Sequence, residues 1–289
     1  MPRHRNARAY DSRRRTGQQK AHHDRWGYVL IGVSILTIGA FGAAVAAVSG
    51  PKLDPSTGCP PGQGAPPAHT LILVDETDSL TRQELGYARA LIRTEYQWLP
   101  MGGRLTVRNI VADPNAAEEI SVCRMSDGGD VLGIFKNPKK VKRDFQKTAG
   151  AKLDKLYADL AVAPPQDASP ILEFLSQAMD RPDFGMGVPT RRLVVLSDFA
   201  QHSDLVSHYG PHPNLTLGED VRDELWRDMN DVEARLHYIP RRKLAQLQGA
   251  RHRAFWTSHL RRMHANALIG HDLLLGEDRT REITIDETL

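Results

Sequence analysis

Several signatures are missing from the 289 residues. There is no Gly-x-x-x-x-Gly-Lys-Ser/Thr loop, no Gly-x-Gly-x-x-Gly turn, no Gly-x-Ser-x-Gly elbow and no His-Glu-x-x-His pair. Phosphate-cradling, dinucleotide, serine-hydrolase and zincin chemistry therefore lack their usual sequence marks. Cysteine is scarce, with only Cys59 and Cys123, which excludes a disulfide-dense scaffold and a zinc ribbon built on four cysteines. No internal repeat is evident, so a solenoid or propeller is excluded.

A charge surplus is also missing where it would matter. The formal net charge is +3, yet the first 26 residues alone hold eight Arg or Lys against Asp11 and Asp24. Of the totals of 38 basic and 35 acidic groups, 30 and 33 remain for the rest of the chain. The basic pI belongs to the tail, and a nucleic-acid partner is not expected.

Directly after the tail runs the longest apolar stretch, YVLIGVSILTIGAFGAAVAAV, Tyr28 to Val48, without a charge. At ~1.5 Å rise per residue it reaches roughly 30 Å, the thickness of a bilayer core. A cleaved signal peptide is the rival reading, but its apolar region would be about 7–15 residues. The sequence is thus divided into a basic cytoplasmic tail (1–26), a transmembrane helix (27–49), a Pro/Gly-rich linker (50–68), an α/β domain (69–270) and a C-terminal extension (271–289). Eight basic residues precede the span and only Lys52 follows it closely. The positive-inside rule then puts the N-terminus in the cytoplasm and the domain outside it, in the periplasm if the membrane is a bacterial inner membrane. In such an oxidising place Cys59 and Cys123 either pair or remain free thiols; spacing alone does not decide.

From His69 onward, strand and helix patterns alternate. Thr70–Val74 and Arg191–Phe199 are apolar runs suited to strands covered on both faces, with Arg104–Val111 between them and Glu119–Met125 as a shorter strand at an edge. Helices are expected near 82–98, 139–160, 170–179, 220–229 and 251–264. Thr81 and Glu84 form a capping box for the first of them, with Leu80 and Leu85 as its staple. Ser169 is read as the cap of the helix that Pro170 begins. Ala234–Pro240 is read as the last central strand. Repeated β-then-α units imply an α/β fold, a mostly parallel doubly wound sheet with helices on both faces.

In such a sheet ligands bind beyond the carboxyl ends of the strands. Two strands end in acid, LILV into Asp75 and VVLS into Asp198. Thr77 and Ser79 follow Asp75 in alternation, so one loop presents three oxygens. Hard divalent cations such as Mg²⁺ or Mn²⁺ suit an all-oxygen set.

This pattern resembles the von Willebrand factor type A (VWA) family. Its metal-ion-dependent adhesion motif, Asp-x-Ser-x-Ser, has its counterpart here in Asp75-Glu76-Thr77-Asp78-Ser79, with Thr in place of the first Ser. The resemblance implies a Thr from a later loop, for which Ser169 stands, and an Asp after a later strand, matched by Asp198. It implies a metal set of Asp75, Thr77, Ser79, Ser169 and Asp198, a protein partner met at that face, and no catalysis or small-molecule substrate. Two readings compete with it. One is a metal-dependent hydrolase using Asp75, Asp198 and the nearby His202, His208 and His212 with Asp204. The other is a metal-free scaffold in which the acids bond loop amides. The stretch 234–271 contains no acidic residue, and its basic face is read as a solvated helix surface rather than a lipid contact.

Overall fold

The computed structural model describes residues 28–43, 53–54, 57–61, 65–129, 137–162, 164–209 and 215–272. The chain divides into two units, 1–50 and 51–289. In the first, helix α1 (28–43) carries its apolar side chains exposed, Leu36 at 74% and Phe41 at 68%. The expected span of 27–49 runs beyond this helix at both ends, and residues 27 and 44–49 lie outside the described residues. So do the basic tail, 1–26, and residues 273–289 of the expected extension. Among the described residues no helix is long and apolar enough to cross a membrane.

The second unit is built on a six-stranded sheet. Its strands are β1 (His69–Asp75), β2 (Arg104–Ile110), β3 (Glu119–Cys123), β4 (Arg191–Ser197), β5 (Val232–Tyr238) and β6 (Asn266–Asp272). They lie in the order β3-β2-β1-β4-β5-β6. All neighbours are parallel except the edge pair β2 and β3. The helices are α2 (Arg82–Trp98), α3 (Pro138–Phe145), α4 (Ala151–Asp159), α5 (Ile171–Met179), α6 (Glu219–Leu225) and α7 (Ala250–Arg262). The mostly parallel α/β architecture expected from the sequence is present.

The central strands explain the two-sided core. Every residue of β1 and of β4 is buried. Side chains alternate across a strand, so Leu71, Leu73, Leu193 and Val195 enter one core with α5 and α7. Ile72, Val74, Val194 and Leu196 enter the other with α2 and α4.

Helix α2 starts as its sequence dictates. The Thr81 hydroxyl accepts from Glu84 N, and the Glu84 carboxylate accepts from Thr81 N at 2.7 Å. Three expectations are corrected. The helix expected over 139–160 is interrupted by a π turn at Gln146–Gly150, between α3 and α4. The helix expected over 220–229 closes at Leu225. The strand β6, which the sequence did not suggest, extends the sheet beyond β5 and carries the domain past residue 270. Cys59 and Cys123 are joined in a disulfide with Cα atoms 5.0 Å apart, fastening the linker to β3.

Candidate functional site

The strand order reverses direction at β1, which has β2 on one side and β4 on the other. A crevice opens at such a switch point beyond the carboxyl ends of the strands. The parallel register pairs Val74 with Leu196, so the next residues, Asp75 and Ser197, meet at the crevice floor. Asp198 follows one step later.

Asp75 is buried and its carboxylate is fully engaged. Oδ1 accepts from Thr77 N at 3.1 Å and from Thr77 Oγ1 at 2.6 Å. Oδ2 accepts from Ser197 Oγ and, at 3.3 Å, from Ser169 Oγ. The structure thus brings Thr77 and Ser169 to Asp75, as the sequence grouped them. Ser79 is exposed on the same loop. Ser169 does not cap α5, which corrects its expected role as a helix cap. The helix begins at Ile171 without a side-chain cap, and the Leu172 amide donates instead to Gln201 Oε1 at 2.9 Å.

Asp198 Oδ1 accepts from Ala200 N at 2.9 Å. Burial, and then the neighbouring Asp75 charge, push its carboxyl up to about 7. Arg241 approaches without closing a hydrogen bond: its Nε lies 3.7 Å from Asp198 Oδ2 and, among the described residues, is buried without a hydrogen-bond partner. The Arg241 guanidinium instead donates to Glu84, at 2.8 and 3.0 Å. Among the described residues no cation hydrogen-bonds to Asp75 or Asp198. The buried Asp75, ringed by the hydroxyls of Thr77, Ser169 and Ser197, and the buried Asp198 make an oxygen donor set that a hard divalent cation fits. Asp75, Thr77, Ser169 and Asp198 would supply its ligands, with Ser79 at the rim.

The loops are held in place by residues that sequence reasoning missed. Phe199 takes φ 60°, a left-handed conformation that costs an ordinary residue about 1 kcal/mol. Its ring is held by stacking on Tyr238 and by edge contact with Trp256. That turn lets the Phe199 amide donate to Ser197 Oγ at 2.7 Å. Ser169 and His202 exchange backbone hydrogen bonds at 2.7 and 2.9 Å, tying the loop before α5 to the loop after β4. The Tyr209 phenol lies at the rim: burial, then the charges of Asp198, Asp78 and Asp75, raise it to about 12. Ser197 carries no sequence signal of its own: the pairing of β1 with β4, which the sequence does not show, sets it beside Asp75.

The histidines considered for a hydrolase are placed otherwise. His208 is buried and its Nδ1 faces His252 Nε2 at 3.1 Å. His202 contacts Ser207 Oγ through Nδ1 at 3.0 Å. His212 lies outside the described residues. Among the described residues no group of three or more His, Cys, Asp or Glu is arranged to hold a metal ion.

No sequence-family profile and no curated protein matches this chain. Among solved structures, the SpRpn10 VWA domain is similar over 64% of this chain and 82% of its own, at 13% sequence identity and a TM-score of 0.31. At that score the superposition is too partial to assign a family.

Proposed function

We propose that this chain is a single-pass, membrane-anchored protein-binding module with a VWA-like domain outside the cytoplasm, serving an envelope assembly. The anchor reading rests on the uncharged run from Tyr28 to Val48 and the basic tail before it. The disulfide between Cys59 and Cys123 supports an oxidising compartment. At the crevice, Asp75, Thr77, Ser79, Ser169 and Asp198 hold Mg²⁺ or Mn²⁺. When bound, such a cation supplies an open position for an acidic group of a partner protein.

The observation that carries this reading is the pair of buried acids at the switch point, with Asp198 raised to about 7 by burial and by Asp75. The expected consequence is a trade between binding and stability. Asp198→Asn keeps the acceptor for Ala200 N and removes a buried charge, so the metal-free protein should gain about 1–2 kcal/mol at pH 7.5. The same change should abolish Mn²⁺ binding followed by calorimetry and electron paramagnetic resonance. Unchanged Mn²⁺ binding in Asp198→Asn would sink the cation reading.

A second reading, the metal-free scaffold, is favoured by two cationic side chains of the domain itself. Arg241 stands near Asp198, and Lys243 pairs with Asp78 at 2.7 Å. It predicts no Mn²⁺ binding and no rise in unfolding temperature on adding Mg²⁺ to the unaltered protein.

A further inference from the structure

A cavity of about 300 Å³ lies beside the crevice, between β2, β3 and the end of α4. That is the lower end of the range for ligand pockets. Its wall includes Val107 and Ile120, which are register partners across β2 and β3, and Leu156 of α4. Its polar groups are nearly all acids: Glu76, Glu118, Glu119 and Asp159, with the Asn109 amide.

Two of these acids are already neutralised. Glu119 pairs with Arg181 at 2.6 Å and Asp159 with Lys155 at 2.7 Å. Glu76 and Glu118 have no ion-pair partner among the described residues. Glu76 is 8% exposed, and one of its oxygens accepts from Asn109 Nδ2 at 3.2 Å. Lys155, which pairs with Asp159, also acts on Glu118 through space, so the cavity joins an apolar wall to acids of which the buried Glu76 closes no ion pair among the described residues.

We infer that this cavity captures one arginine or lysine side chain of a protein partner, its aliphatic stem against Val107, Ile120 and Leu156 and its charged head at Glu76 and Glu118. A hydrated metal ion would leave the apolar wall unused, and an apolar side chain would leave the acids uncompensated. A long basic side chain meets both, because its methylene stem covers apolar surface while its head keeps polar partners. Arginine is the better fit to two carboxylates, since its planar fork can donate to both. The inference rests on the protein-binding reading of this end of the sheet, and it does not require the cation.

The test uses the full chain and three blocked tripeptides, acetyl-Gly-X-Gly-amide with X as arginine, lysine or norleucine, in ligand-observed saturation-transfer NMR at low salt. Arginine should bind best, lysine more weakly, and norleucine not at all. Glu76→Gln combined with Glu118→Gln should weaken arginine binding at least tenfold, with the unfolding temperature reporting that the variant is folded. Glu224→Gln, on an exposed acid away from the cavity, controls for general surface attraction. Asp198→Asn, which tests the cation, should leave arginine capture unchanged, so the two readings fail separately. Equal binding of norleucine and arginine, undiminished binding in the double variant, or an equal loss in Glu224→Gln would overturn the inference.

Discussion

Burial lowers four histidines, His69, His208, His252 and His259, to about 4 each. Among the described residues the His208 and His259 Nε2 atoms have no hydrogen-bond partner, so an N–H there would have no acceptor. The folded state holds the neutral rings, whereas the unfolded chain takes up protons below pH ~6.5. Their contribution to stability is therefore complete above pH ~6.5 and is lost as pH falls toward 4. Asp198 acts in the opposite direction, since its carboxyl is raised to about 7 and its protonation relieves a buried charge. Glu76, whose carboxyl burial also raises, acts with Asp198; the four histidines outweigh these two carboxyls, and the urea midpoint should be lower at pH 5.0 than at pH 7.5. Equal midpoints would show that the rings already carry protons in the fold.

At the scale of elements, the sheet has a second polar centre at the end opposite the crevice. Arg192, near the start of β4, is buried and donates to Glu95 of α2 and to Glu233 of β5, both at 2.9 Å. Its guanidinium also lies 3.4 Å from the Trp98 ring centroid. Arg235 also reaches Glu95 at 3.5 Å and Glu233 at 2.6 Å, so Arg192→Ala leaves the buried Glu95 only its longer ion pair and should cost about 3 kcal/mol in chemical unfolding, the low end for a broken buried pair. The strands around these centres were legible because their signals are local: unbroken apolar runs, a capping box, and acids placed where strands stop. Ser169 was misassigned because a serine before Pro170 has the local signature of a cap, while its actual partner, Asp75, lies 94 residues away. Gln201 and Ser197 were missed for the same reason, since their roles are set by strand pairing and loop contact. The strand β6 was missed because NALIGHD is a short apolar run that periodicity alone cannot assign.

For the whole molecule, the proposed arrangement has a basic tail inside the cell and a domain outside it. A reporter enzyme fused after Leu289 should be active only if it folds outside the cytoplasm, and cytoplasmic activity would reverse the orientation. The bond between Cys59 and Cys123 spans 64 residues of sequence and encloses β1, α2 and β2 in one covalent ring. Asp75 and Thr77 sit within that ring. Tension drawn along the linker is passed through sulfur to an edge strand, so a pull on the tether cannot strip out the strand that carries the acid without first reducing the bond.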